Sequence, residues 1–161
     1  MSELEATVKL LDGMAFSATS ASGHTMTLDA AADAGGTNRG PRPIELFLLG
    51  LGGCTGMDVI SILRKMRQDV ADYEVRLTAE RAESHPKVFT AVVVEHVVRG
   101  RNVSPESVRR AVELSATRYC PASAMLSKAV RIQERYRVID EEMGTETVGT
   151  LDSATVRGAD R

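Results

Sequence analysis

Residues 43–67 read PIELFLLGLGGCTGMDVISILRKMR, the most apolar stretch of the chain, and the reading of this stretch decides the fold. Ile44, Phe47, Leu48 and Leu51 fall at i, i+3, i+4 and i+7, one helical stripe that starts from Pro43. Met57, Ile60, Leu63 and Met66 continue the helix at three-residue spacing to about Arg67. Gly50, Gly52 and Gly53 interrupt it, each costing about 1 kcal/mol against alanine in a helix. So many glycines imply a kink or a close backbone approach at this point. A long helix, apolar all round and broken at glycines, is expected to be central and buried.

Working outward, the chain before this helix reads as an antiparallel meander. Val8 and Leu10 alternate with Thr7 and Lys9, Asp12-Gly13 signals a turn, and a strand resumes from Met14 to Thr19. Ser22-Gly23 breaks to a third strand near His24–Leu28, and residues 30–42 form a loop rich in glycine and proline. After the helix come two strands, around Val75–Glu80 and Val88–Arg99. Ser104-Pro105 then opens an amphipathic helix to about Tyr119. Cys120-Pro121 opens a short one, and Val130–Val138 closes as a strand. Strands and helices in separate runs argue α+β.

At 161 residues the chain suits one domain, here 1–139, followed by an acidic flexible tail over 140–161. That tail holds six acids and two bases, against a formal net charge of −2 for the whole chain, so the body is only weakly basic. A clustered basic face is what nucleic acid would require, and no such partner is expected. No apolar run approaches the roughly 20 residues that cross a bilayer, and no signal pattern opens the chain. Neither a membrane partner nor secretion is expected, and the location read from this is cytoplasmic. In that compartment two cysteines point to reduced thiols or a reactive pair rather than a structural disulfide. His24, His85 and His96 show no ligand spacing, so no metal and no cofactor is expected.

The chemistry therefore centres on Cys54 and Cys120. Cys54 follows the glycine break and Cys120 precedes Pro121, so each is expected at a helix N-terminus, where free N–H groups favour a thiolate. Lowering a thiol from about 8.5 to about 6 takes roughly 3.4 kcal/mol. A helix terminus supplies about 0.3–1 kcal/mol, or about 2 when partly buried. A guanidinium must supply the rest, and Arg39 and Arg42 stand in the loop just before the helix. Glu45 is open to two readings, a charge that complements the first helical turn or a site residue.

These blocks resemble the OsmC/Ohr superfamily, closest to its YhfA-like branch. The resemblance is carried by Pro41-Arg42-Pro43-Ile44-Glu45-Leu46, Leu51-Gly52-Gly53-Cys54 and Asp58-Val59-Ile60. It continues in Gln68-Asp69-Val70, Arg99-Gly100 and Tyr119-Cys120-Pro121, and covers about residues 5–138. It implies antiparallel sheets wrapped around buried central helices in an intertwined homodimer with two interface active sites. It also implies reduction of small apolar organic hydroperoxides. Cys54 would become a sulfenic acid, Cys120 would resolve it to a disulfide, and an external dithiol would reduce both. Arg39 or Arg42 would hold the thiolate and orient the peroxide, with Glu45 beside it. Peroxidase members carry that acid one residue earlier, and one residue on a helix is about 100° of rotation. The alternative is a dimeric protein that binds a hydrophobic ligand, or senses redox state, with Leu48 and Leu51 lining its pocket.

Overall fold

In the computed structural model, which describes residues 3–151, the chain divides into two compact units, residues 1–49 and 50–161. The first holds a three-stranded antiparallel sheet, β1 (Thr7–Asp12), β2 (Ala15–Thr19) and β3 (Thr25–Leu28), in the order β1-β2-β3. Thr7 faces Thr19 and Phe16 faces Leu28 across the two ladders, so the meander matches its expectation. All six residues of β1 are exposed, and among the described residues of this unit the only buried apolar side chains are Ala15 and Leu28. The following loop contains one 3-10 turn, Ala32–Ala34.

The long helix forms as expected: α1 spans Glu45–Lys65 without interruption, so the glycines do not break it. They permit close approach instead. A Cβ at Gly52 would lie 2.6 Å from Leu77 Cδ1, and one at Gly56 would lie 3.3 Å from Val75 Cγ2. Packing on β4 therefore outweighs the helix propensity that these residues lose. The helix is less buried than its composition suggests. Leu51, Gly52, Thr55, Val59 and Leu63 form one buried stripe, whereas Met57 on another face is 74% exposed. One sheet covers only one side of a helix. α1 is long and apolar enough to cross a membrane by length and composition alone, a property that a core helix shares.

The second unit builds its sheet from β4 (Asp69–Arg81), β5 (Phe89–Arg101), β6 (Arg131–Asp140) and β7 (Thr145–Thr150), in that order. β5 and β6 run parallel, because α2 (Pro105–Leu114), a π-helical turn (Ser115–Tyr119) and α3 (Pro121–Leu126) carry the chain back between them. The sheet is thus mixed, where purely antiparallel pairing was expected. Ser104 caps α2 as expected, its hydroxyl accepting the Ser107 N–H at 3.2 Å. Val59 and Leu63 of α1 and Val108, Ala111 and Val112 of α2 pack with Val98 and Val138 into the main core.

The acidic tail needs correction. Asp140 Oδ1 accepts the N–H groups of Glu142 and Met143, both at 3.0 Å, closing a turn into β7. β7 pairs antiparallel with β6, and Glu146 pairs with the Arg137 guanidinium. Leu151 reaches the core. Strand hydrogen bonds, which side-chain polarity does not report, hold this segment. Residues 152–161 of the expected tail lie outside the described residues.

Candidate functional site

Cys120 ends the π turn and begins α3. Its backbone is extended, its Sγ accepts the Ser123 N–H at 3.4 Å, and Pro121 follows at the first helical position. The sequence expectation of a capping cysteine holds. The side chain is only 3% exposed. Burial is the largest effect on this thiol and pushes its pKa up. The Ser123 hydroxyl and N–H pull it down, and the adjacent Cys54 pushes it up, leaving a net rise. The Ser123 hydroxyl is itself buried with no other partner among the described residues.

Cys54 is placed differently from expectation. It lies in the interior of the unbroken α1, where backbone N–H groups are taken by carbonyls four residues earlier, so it does not open a helix of its own. It is half-buried, and it lies near enough to the Cys120 thiol to push that thiol's pKa up. Two free thiols, 66 positions apart in sequence, are therefore neighbours in the fold, the one more accessible than the other.

Around them sits a buried polar chain that the sequence did not show. Thr55 Oγ1 lies 2.8 Å from Ser115 Oγ, and Ser115 Oγ donates to Asp58 Oδ2 at 3.1 Å. An ionised carboxylate only accepts, so the single Ser115 proton goes to Asp58 and Thr55 must donate to Ser115. Ser115 also opens the π turn, its carbonyl accepting the Cys120 N–H at 2.9 Å. Such turns recur at functional sites.

A second network lies on the inner face of the sheet. Tyr73 (β4), His96 (β5) and Glu134 (β6) join through Tyr73 Oη to His96 Nδ1 at 2.7 Å and His96 Nε2 to Glu134 Oε2 at 3.1 Å. His96 and Glu134 are fully buried, and Glu134 Oε1 has no partner among the described residues. With Glu134 ionised, His96 donates through Nε2–H and accepts the Tyr73 hydroxyl at Nδ1. Burial first, then the Glu134 and Asp58 charges, push the Tyr73 phenol well above its ordinary range. Its hydroxyl lies 4.0 Å from the place a Cβ of Gly56 would occupy, which sets it against α1. A visible signal existed: His96 shares the inward parity of Val92, Val94 and Val98, and Glu134 that of Ile132 and Val138.

The other expected site residues are placed as follows. Within the first unit, Arg39 pairs with Asp12, and its Nε lies 3.6 Å from Asp29 Oδ2. The Asp29 carboxylate, held first by the Arg39 N–H and then by Thr37 and Ala30, sits far below the usual carboxylate range. Arg42 donates to Asn38 Oδ1 and to the Gly40 carbonyl. Glu45 Oε2 accepts the Arg42 N–H at 2.9 Å, closing the first turn of α1. Leu48 is half-buried, and Leu51 is fully buried. Among the described residues no group of three or more His, Cys, Asp or Glu side chains gathers to hold a metal ion.

Comparison with known proteins bears on this geometry. The model of the family described as OsmC-like protein matches residues 36–135. Protein YhfA of Escherichia coli K12 is 43% identical over 136 residues, 84% of this chain and 98% of its own. A hypothetical protein of Aquifex aeolicus superposes with a TM-score of 0.77 at 30% identity, covering 88% of this chain and 99% of that one. The Legionella pneumophila organic hydroperoxide resistance protein OsmC superposes with a TM-score of 0.64 at 15% identity, over 86% and 97%. At that identity the likeness concerns fold alone.

Proposed function

Because the chain belongs to the OsmC-like protein family, we propose that it reduces an organic hydroperoxide at the expense of the Cys54 and Cys120 thiols. The observation that carries this reading is a half-buried Cys54 near enough to a buried Cys120 to raise its pKa, both thiols free. The Cys54 thiolate attacks the peroxide O–O bond. One oxygen stays on sulfur as the sulfenic acid, and the other leaves with a proton as the alcohol. Cys120 then displaces that oxygen as water and forms the disulfide. An external dithiol returns two electrons and two protons, which places the cycle in a reducing compartment such as the cytoplasm. Solved structures that share the fold include proteins named for organic hydroperoxide resistance. The cation that favours the Cys54 thiolate comes, as the resemblance implies, from Arg39 or Arg42.

Treating the reduced full chain with one equivalent of tert-butyl hydroperoxide is expected to remove two hydrogens from its intact mass. Both cysteines then become resistant to alkylation within seconds. If Cys54 stays alkylatable over minutes, the reading is wrong. The interior position of Cys54 favours a second reading, a protein that binds a hydrophobic ligand while its thiols remain passive. Saturable binding of an apolar probe by the unoxidisable Cys54→Ser, Cys120→Ser chain would select it.

The same reading includes a homodimer. A three-stranded sheet that buries only Ala15 and Leu28 of its apolar side chains has little core of its own. Separately, Gly50, Gly53 and Met57 share a face of α1, with open space beside the two glycines. A second copy would cover both surfaces. Met57→Glu is expected to weaken the association at least about tenfold, read by sedimentation equilibrium, since an uncompensated charge at an apolar contact costs well over 1 kcal/mol. An unchanged assembly state would remove α1 from the interface.

A further inference from the structure

Ser115 holds two positions at once. Its side chain is fully buried and bonded to Thr55 and Asp58, 60 and 57 residues away in sequence, on either side of the α1 turn that follows Cys54. Its main-chain carbonyl accepts the amide of Cys120. Cys54 and Asp58 stand four residues apart on one helix face, and Thr55 follows Cys54 directly. Both sulfur atoms are thus located relative to the same three residues.

The π turn explains why such a tie is needed. A turn with bonds from residue i to i−5 is rare and wider than an α turn, and it re-aims whatever follows it. Here it delivers Cys120 into the cap of α3, with the thiol facing α1. Its own backbone bond locates Cys120 relative to Ser115 only. The Ser115 hydroxyl supplies the link from that turn to α1.

We propose that Ser115 is a positioning residue for disulfide formation, bracketing the π turn against Thr55 and Asp58 so that the Cys120 sulfur is held at Cys54. The inference rests on the two-thiol reading above and names the group that makes it fast. In the step concerned, the Cys54 sulfenic acid and the Cys120 thiol give the disulfide and water. The S–O bond breaks, the S–S bond forms, and the thiol proton leaves with the oxygen. A bracket of this kind raises the effective concentration of Cys120 at Cys54. A serine that merely satisfied the half-buried Asp58 would affect stability and leave thiol pairing untouched.

The test separates these roles and does not depend on peroxide. The reduced full chain is equilibrated with glutathione buffers, in which glutathione disulfide takes two electrons from Cys54 and Cys120 and becomes two glutathione thiols. Ser115→Ala is expected to lower the equilibrium constant for the intramolecular disulfide by ~10-fold or more. The thermal midpoint of the reduced chain is recorded alongside, so that a change in stability is not mistaken for one in pairing. Should Ser115→Ala fail to fold, Thr55→Val, which keeps the shape and removes one of the two bonds, is expected to lower the constant several-fold. A folded variant whose thiols pair as readily as those of the unaltered chain overturns the proposal. So does an unaltered chain that forms no disulfide with glutathione. A chain that pairs its thiols in glutathione yet ignores alkyl hydroperoxide overturns the peroxidase reading and leaves the role of Ser115 standing.

Discussion

On the proposed two-thiol chemistry, replacing Cys54 by serine is expected to abolish consumption of an alkyl hydroperoxide by the full chain, a fall of about a thousandfold or more to the uncatalysed background. Replacing Cys120 leaves the first oxidation intact and strands a sulfenic acid on Cys54. The asymmetry follows from position. A peroxide must reach its nucleophile, and Cys54 is half-buried whereas Cys120 is only 3% exposed. The nucleophile must also be a thiolate, and burial keeps the Cys120 thiol protonated above its ordinary range. Serine, with a hydroxyl that stays protonated in water and lacks a polarisable sulfur, offers neither property. The same raised pKa sets a pH dependence for the second step. Below it Cys120 is the neutral thiol, so each unit of rise in pH brings about tenfold more thiolate until the pKa is reached. The sulfenic acid on the unaltered chain should therefore shorten in lifetime as pH rises from neutral, read by dimedone trapping in quenched flow. Activity that survives in Cys54→Ser and vanishes in Cys120→Ser would reverse the two roles.

The two cysteines also show how far the sequence could be read. Cys120 was legible because a proline follows it, and the local rule for helix starts is stronger than anything nearby. Cys54 was legible as a reactive candidate and misread as a helix start. Gly50, Gly52 and Gly53 lower helix propensity, but what decides the backbone is the sheet beneath, where Leu77 and Val75 accept Gly52 and Gly56 closely. Sequence periodicity reports which face is apolar and is silent on what packs against it. β7 was missed for a similar reason. Thr145–Thr150 carries few large apolar side chains, and its place is fixed by backbone bonds to β6 and by Glu146 on Arg137. Arg39 and Asp12 are 27 residues apart, and their pairing is a property of the folded first unit that no local pattern announces. Ser115, Thr55 and Asp58 lie in apolar segments as ordinary polar residues until the fold joins them.

His96→Leu is expected to lower the unfolding free energy by about 3–5 kcal/mol, read from urea unfolding of the reduced chain. One substitution removes the imidazole that Tyr73 and Glu134 share as a partner. The Tyr73 hydroxyl loses its acceptor, and the Glu134 carboxylate, fully buried with Oε1 already unpartnered, loses its donor at Oε2. A buried polar group left without a partner costs about 1–3 kcal/mol, and a carboxylate more, because it gives up hydration and gains nothing. Leucine fills a comparable volume, so little of the loss would come from a cavity. The same logic makes the combined change milder than the single one. Tyr73→Phe, His96→Leu and Glu134→Leu together remove every group that demands a partner, and the triple variant should regain most of the lost stability. A single variant that loses less than about 1 kcal/mol, or a triple variant that loses the sum of its parts, would mean that the network is not held together in solution. The energetic coupling among the three residues carries the argument, since residues that act through one another cannot be additive.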